Sequence, residues 1–234
     1  MLINNINISN FKAKLMDRKI VNAKFEIINE WVDDSLNPFV KDKDNLKYKY
    51  KTLTFTLDVI CRGANELETM KSNLTKQLAI STIKFDDIDF YYRGFVIDDI
   101  TPNYIMEGNE TLDITMLVIA EKTEVIEIMN RVTSKTINVT GNTETPCIVE
   151  ITASIDTIDI ILEGFADDPI IIKNLKANKT VIVDGESQTV TVDGINKYGD
   201  SEMWDFPSLS PGNNNLKFSR NNCDIKVKYK PRFI

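Results

Sequence analysis

Short segments with a period of two residues dominate this sequence, and only one segment has the period of a helix. From Thr52 to Cys61 large apolar residues alternate with threonine and aspartate, as a half-buried strand requires. Beyond residue 64 the apolar spacing changes to three and four residues, which predicts a helix over about residues 66–79 with Asn65 as its N-cap. The pattern therefore predicts a mainly β chain that contains one helix.

Further strands are predicted on both sides of this helix. They cover about residues 20–28, 82–85, 89–100 and 112–119. Pro102 and Gly108 indicate a turn between the last two. Residues 31–44 contain Pro38 and paired aspartates without periodicity, and we expect them to form a long loop or arm. Loops of this length are uncommon unless they have a function.

The second half of the chain has no helical period. Short apolar or alternating segments separated by Gly, Asn, Asp and Pro occur at residues 137–139, 148–153, 158–162, 170–172, 180–183, 189–192, 216–218 and 225–229. Strands at such regular spacing are typical of an antiparallel sandwich. With a polar connection near Asn130, the chain is predicted to contain two domains, residues 1–129 and 130–234.

Composition argues against several functions. The net charge of -7 argues against a nucleic-acid surface, which needs clustered basic residues. The chain contains no histidine, on which most hydrolase mechanisms near neutral pH depend. Its cysteines Cys61, Cys147 and Cys223 are far apart in predicted strands, which favours buried thiols over a zinc site. We therefore predict no catalytic residue, no cofactor and no metal.

The chain is also expected to stay out of the membrane. No apolar segment approaches the roughly 18 residues that a membrane helix needs. The residues after Met1 have no basic region before a continuous apolar stretch, so no secretion signal is predicted. We expect the protein to be made and kept in the cytosol until it is assembled.

Paired carboxylates recur at four places, and a glycosidase needs two acidic groups. They are Asp33-Asp34, Asp86-Asp87, Asp98-Asp99 and Asp167-Asp168. Each pair lies at a predicted turn or strand end, and adjacent residues of a strand point to opposite faces. We interpret them as turn residues.

The loop that begins at Trp204 is the most distinctive feature of the second half. Trp204, Phe206 and Leu209 are large apolar residues in a segment without periodicity, and a Pro-Gly turn follows them. The favoured interpretation is a loop that closes one end of the sandwich. The alternative is an exposed surface for a sugar or a partner protein.

Two parts of the chain together resemble the distal tail protein (Dit) family of long-tailed phages of Gram-positive bacteria. In the N-terminal part, Phe11 to Leu15 is followed by a polar stretch with Trp31 that leads into a Leu-Asn-Pro turn at residues 36–38. In the C-terminal part, residues 206–213 are followed by an alternating strand and by Pro231-Arg232-Phe233. The order of strand, helix and hairpin between them also agrees.

The resemblance implies a split β-barrel-like N-terminal domain with one α-helix, which forms a homo-hexameric ring, and a galectin-like C-terminal β-sandwich. It implies a structural component of the tail tip that connects the tail tube to a tail-associated lysin, tail fibre or receptor-binding protein. A head-to-tail ring needs two different complementary patches per subunit. The candidate inter-subunit arm contains Trp31, Leu36, Pro38 and Phe39, and the candidate C-terminal contact loop contains Trp204, Phe206 and Leu209.

Two other functions remain as alternatives. The C-terminal sandwich is compatible with a carbohydrate-binding protein that acts in adhesion to the host surface, because a fold does not determine function. An enzyme is the less favoured alternative, since histidine is absent.

Overall fold

The structure is a computed structural model, and its chain divides into two units. It describes residues 1–23, 25–26, 29–30, 39–40, 47–48 and 50–234, with the backbone alone between residues 25 and 48. The first unit comprises Met1–Glu121 and Ile234, and the second comprises Lys122–Phe233. The division lies before the expected boundary at residue 129, because the strand over residues 125–130 pairs with a C-terminal strand at residues 223–229.

Strands are numbered along the chain. Those before residue 122 are β1 (Leu2–Ile3), β2 (Ile6–Asn7), β3 (Ala13–Val21), β4 (Phe25–Glu26), β5 (Asn29–Glu30), β6 (Phe39–Val40), β7 (Lys47–Tyr48), β8 (Lys51–Ile60), β9 (Ile80–Lys84), β10 (Tyr91–Val96), β11 (Thr101–Met106) and β12 (Asn109–Glu121). Those after it are β13 (Val125–Asn130), β14 (Ser134–Val139), β15 (Thr145–Ala153), β16 (Thr157–Glu163), β17 (Ile170–Leu175), β18 (Thr180–Asp184), β19 (Thr189–Val192), β20 (Ile195–Asn196), β21 (Ser201–Glu202), β22 (Ser208–Leu209), β23 (Gly212–Phe218), β24 (Cys223–Tyr229) and β25 (Arg232–Phe233). The described residues also contain α1 (Ala64–Leu78) and two 3-10 turns, Ile8–Phe11 and Tyr198–Asp200.

The first unit is built on an antiparallel sheet in the order β2-β1-β9-β10-β12-β8-β3. The sheet curls into a half-barrel, which confirms the predicted β-barrel-like domain with one helix. On β8 the side chains of Leu53, Phe55, Leu57 and Val59 are buried, as the alternation predicted. The strand β12 is long enough to pair with β8 along one edge and with β10 and then β11 along the other.

The helix α1 covers the inner face of this sheet. Leu67, Leu74 and Leu78 are buried, which matches the predicted apolar stripe. The helix begins at Ala64, slightly earlier than predicted, and the predicted N-cap Asn65 is wrong. Gly63 occupies the N-cap position without a side-chain hydrogen bond. Instead, the carboxylate of Glu66 accepts a hydrogen bond from the backbone N–H of Arg62 at 2.9 Å.

The second unit is a sandwich of two antiparallel sheets. One has the order β13-β24-β15-β18-β19-β20, with β22 also paired to β15, and the other has the order β14-β23-β16-β17-β21. Alternate side chains of both sheets form one core, in which Val149, Ile160 and Val227 are completely buried. Every strand that the sequence predicted beyond residue 130 lies within one of these strands. The galectin-like character of the sandwich stays an expectation.

Three parts of the first half differ from the sequence prediction. A strand was expected over residues 20–28, but β3 occupies Ala13–Val21, and a register shift between Leu15 and Asp17 interrupts its alternation. The expected turn between Pro102 and Gly108 contains the strand β11. Within the range expected for the arm, residues 31–44, the structure describes the backbone of β6, which pairs with β5, and outside that range β4 pairs with β7.

Candidate interaction surfaces

The C-terminal loop places its three predicted contact residues in three different environments. Leu209 is completely buried in the core of the sandwich, whereas the side chain of Trp204 is 87% exposed. Phe206 is half-buried and stacks on Tyr198, with ring centroids 6.0 Å apart and an interplanar angle of 25°. The loop therefore closes the sandwich through Leu209 and presents Trp204 to solvent.

Backbone hydrogen bonds fix this loop on both sides. The N–H of Ser208 donates to the carbonyl of Phe165 at 2.7 Å, and the N–H of Cys147 donates to the carbonyl of Pro207 at 3.1 Å. Each bond joins the loop to a residue whose side chain belongs to the core. The loop that carries the exposed indole is thus anchored to the sandwich at Pro207 and Ser208.

A polar cleft of about 590 Å³ opens beside Phe206. Its lining includes Glu144, Asp167, Gln188, Asp205, Phe206 and Arg232. Arg232 donates a hydrogen bond to Glu186 at 2.8 Å, and the hydroxyl of Ser208 donates to Glu144. Carboxylates and an amide next to an aromatic wall are groups that hydrogen-bond hydroxyl-rich ligands or polar peptide segments.

A second, shallower groove surrounds Trp204 itself. It is lined by Asp168, Pro169, Ile171, Glu202, Met203 and Trp204. The carboxylate of Glu202 is paired with Lys173. An exposed tryptophan in a partly apolar groove is a common anchor of protein interfaces.

The outer face of the first-unit sheet carries a mainly apolar row that the sequence did not reveal. The outer row consists of Ile80 on β9, Phe95 on β10, Leu117 on β12, Thr52 on β8 and Val21 on β3, each opposite the next in the register of adjacent strands. Ile80 is 80% exposed, and Phe95 is 41% exposed. Tyr50 extends the row, with its ring edge-to-face against Phe95 at 6.2 Å.

A second apolar patch lies at the opposite end of the same sheet, where β11 turns into β12. The hairpin tip consists of Tyr104, Ile105 and Met106 on β11 together with Ile60, which lies opposite Asn109. All six residues of β11 are exposed, and Tyr104 is 73% exposed. A run of three apolar residues inside a predicted turn was the sequence signal for this patch.

Gly108 holds the hairpin tip in place. Its φ of +79° is in the left-handed region, and its carbonyl accepts a hydrogen bond from the N–H of Cys61 at 2.7 Å. A Cβ at this position would lie 2.6 Å from the carbonyl oxygen of Cys61. The tip is therefore packed closely against the chain that precedes α1.

Two basic side chains of the first unit, Arg18 and Lys51, each have a side-chain hydrogen-bond partner. The guanidinium of Arg18 donates two hydrogen bonds to the carboxylate of Asp87 and lies 4.5 Å from the ring centroid of Phe85. The hydrogen bonds from Arg18 hold the pKa of Asp87 below its ordinary value. Burial lowers the pKa of Lys51, whose ammonium donates to the side chain of Asn22 at 2.8 Å.

The predicted inter-subunit arm is not placed by the structure. Trp31, Leu36 and Pro38 lie outside the described residues. Phe39 belongs to β6, of which only the backbone is described. The assignment of these residues to a subunit contact remains a prediction.

The acidic pairs within the described part of the chain lie where turns were predicted. Asp86 and Asp87 follow β9, Asp98 and Asp99 lie between β10 and β11, and Asp167 and Asp168 precede β17. Asp33 and Asp34 lie outside the described residues. Across the part of the chain that the structure describes, no three His, Cys, Asp or Glu residues form a group able to hold a metal ion. None of the described helices is long and apolar enough to cross a membrane.

A known protein family matches most of the second unit. Residues 140–233 match the model of a family described as a siphovirus-type tail component, C-terminal domain. A search of curated proteins finds no match to the sequence.

Solved structures show a likeness that extends over the whole fold. The SPP1 Dit protein, described as a paradigm of the hub adsorption apparatus in phages that infect Gram-positive bacteria, matches with a TM-score of 0.76 and 12% identity. The match covers 100% of this chain and 98% of that chain. The phage p2 baseplate in its activated conformation with Ca matches with a TM-score of 0.59 and 11% identity, over 97% of this chain and 94% of that chain. The predicted resemblance to distal tail proteins is confirmed.

Proposed function

We propose that this protein is a structural subunit of a phage tail tip that assembles as a homo-hexameric ring and joins the tail tube to the adhesion apparatus. The observation that carries the proposal is the match of residues 140–233 to a siphovirus-type tail component. The likeness of the complete fold to a phage hub protein supports it. The subunit acts by binding and carries out no catalysis, in agreement with a chain that lacks histidine.

In this proposal the two units have separate roles in the virion. The first unit, with its outer row and hairpin tip, builds the ring. The second unit binds a tail-associated lysin, tail fibre or receptor-binding protein through the loop that contains Trp204 and Phe206. Trp204 suits this role because an exposed aromatic side chain on a well-held loop provides contact area at a low cost in entropy.

The oligomeric state of the purified protein tests the ring. Light scattering after size-exclusion chromatography is expected to give six times the chain mass of 26.7 kDa. Negative-stain images are expected to show six-fold rings with a central hole. A monomer at every concentration up to about 1 mM would contradict the proposal, since even weak assembly becomes visible there.

The candidate arm calls for a test of its own. We expect deletion of residues 36–42 to reduce the ring to smaller species, because this deletion removes Leu36, Pro38 and Phe39 from the proposed inter-subunit arm. A Gly-Ser segment of equal length in place of residues 36–42 separates the loss of these side chains from the shortening of the chain. An unchanged oligomer mass in both variants would show that the arm does not hold neighbours together.

Carbohydrate binding by the sandwich is the second candidate function, and the polar cleft beside Phe206 favours it. Asp167, Gln188 and Asp205 line this cleft together with the aromatic ring. A glycan array decides between the candidates. Binding by the wild-type protein that disappears in Gln188→Ala would support the carbohydrate function, whereas a stable ring without glycan binding would favour the hub.

A further inference from the structure

We infer that neighbouring copies of this chain contact each other head-to-tail, with the hairpin tip of one copy packed on the outer row of the next. This inference rests on the proposed ring and adds which surfaces of the first unit form its subunit contact. Both surfaces are exposed apolar patches on a sheet whose other face already contains the core. Contiguous exposed apolar patches on a folded domain commonly mark interaction sites.

The outer row is suited to receive a partner. Its residues lie side by side on adjacent strands about 4.8 Å apart, so the row forms a continuous strip across the sheet. Ile80 and Val21 lie at its two ends, and Leu117 and Phe95 lie between them. The next row on this face, two residues along each strand, contains Lys19, Thr54 and Thr115, which are polar. A polar rim around an apolar strip is the usual composition of a subunit interface.

The hairpin tip is suited to pack against the outer row of a neighbouring copy. Tyr104 and Met106 lie on the edge strand β11, and Ile105 lies at the register shift between them, so three exposed apolar side chains follow one another at the end of the hairpin. The bond between Cys61 and Gly108 fixes the turn. A fixed projection loses little conformational entropy when it binds, which favours association.

The two patches cannot meet within one copy. Leu117 in the outer row and Asn109 beside the hairpin tip lie on the same strand β12, and eight residues of extended chain separate them by about 27 Å. A contact between them therefore joins two copies. Because the patches differ, the contact repeats from copy to copy and closes into a ring if the rotation allows it.

Charge also favours this pairing over contacts between like patches. Glu107 lies exposed at the turn of the hairpin tip, and Lys19 lies exposed two residues before Val21 on the outer face. Contact between tip and row brings these opposite charges together. Contact between two outer rows brings two Lys19 side chains together and yields a closed pair of copies, which is a dimer.

The experiment uses three full-length variants that each place one charge on an exposed apolar position. Ile80→Asp disables the outer row, Tyr104→Asp disables the hairpin tip, and Ile158→Asp is the control in the second unit, where Ile158 is 78% exposed. Substitutions at such positions leave the fold intact, which thermal melting of each variant verifies. Light scattering then gives the mass of each variant alone and of the two first-unit variants mixed at equal concentration.

We expect Ile80→Asp and Tyr104→Asp to be monomers alone and to form a dimer when mixed. The mixture retains one intact tip and one intact row, on different copies, so one contact forms and cannot repeat. The control is expected to keep the ring. This pattern is specific to a head-to-tail contact between two different patches.

Other outcomes overturn the inference in distinguishable ways. If the wild type and both variants form rings, the ring stands and these surfaces are wrong. If Tyr104→Asp alone forms a dimer, like patches pair and the head-to-tail arrangement is wrong. If both variants are monomers and their mixture is also monomeric, the two patches do not contact each other. A monomeric wild type overturns the proposed ring and this inference together.

A charge exchange checks the orientation of the contact. Glu107→Lys is expected to weaken assembly about two- to five-fold at low salt, as for a rim ion pair, and Lys19→Glu in the same chain is expected to restore it. If Glu107→Lys weakened assembly by unfolding the protein, a second substitution at Lys19 would not restore assembly. Failure to restore would show that Glu107 and Lys19 do not face each other between copies.

Discussion

The substitutions Leu209→Ala and Trp204→Ala are expected to have different effects on stability, because one residue of this loop lies in the core and the other on the surface. Leu209 is completely buried in the core of the sandwich, so truncation removes its contacts and leaves a cavity that the hydrogen-bonded loop cannot easily fill. Leu→Ala changes at such sites cost about 2–5 kcal/mol, and we expect about 3 kcal/mol here. Trp204 is 87% exposed, so Trp204→Ala is expected to change the free energy of unfolding by less than about 0.5 kcal/mol.

Calorimetry of the full-length protein measures this difference. A loss of about 3 kcal/mol in a unit that spans Lys122–Phe233 lowers Tm by roughly 10–15 °C, whereas Trp204→Ala is expected to leave Tm within about 2 °C of the wild type. Leu209→Met, which nearly conserves volume, is the matched control for the cavity. Equal shifts for the two alanine variants would refute the assignment of a core role to Leu209 and a surface role to Trp204.

The remaining predictions concern both units. Gly94→Ala is expected to cost about 3 kcal/mol or more in urea unfolding, since its Cβ would lie 1.8 Å from a carbonyl oxygen of β12, whereas Gly63→Ala meets no atom within 4 Å and is the mild control. Arg18→Gln is expected to raise the depressed pKa of Asp87 towards its ordinary value in an NMR titration. The stability from this ion pair is complete above the unfolded pKa of Asp87 and is lost as pH falls through the lower folded pKa. Burial raises the pKa of Cys147, so its thiol is expected to react with a thiol reagent only after the second unit unfolds.

Burial on one face decided which strands could be predicted from the sequence. On β8 one face lies in the core, so its alternation was visible between Thr52 and Cys61. The strand β3 escaped prediction because the register shift after Leu15 breaks its alternation. All side chains of β11 are exposed, so backbone pairing with β12 stabilises it without any alternation that a sequence reveals.

What the sequence could not predict about the second unit and the candidate surfaces has a similar physical origin. In β13 the exposed residues Ile126 and Ile128 are as apolar as their buried neighbour Met129, so the sequence shows no alternation there and this strand was not predicted. Leu209 and Trp204 belong to one loop, and their different burial depends on contacts from distant strands. The outer row combines residues from five strands, so pairing in three dimensions was needed to find it.

The exposure of Trp204 gives the second unit an optical signal of its own. The chain contains two tryptophans, so Trp31→Phe leaves Trp204 as the only indole. A partner that covers this loop removes water from the indole and shifts its emission to shorter wavelength, whereas a partner on another surface leaves the emission unchanged. Fluorescence titration of this variant therefore reports both whether an adhesin binds and whether it binds at this loop.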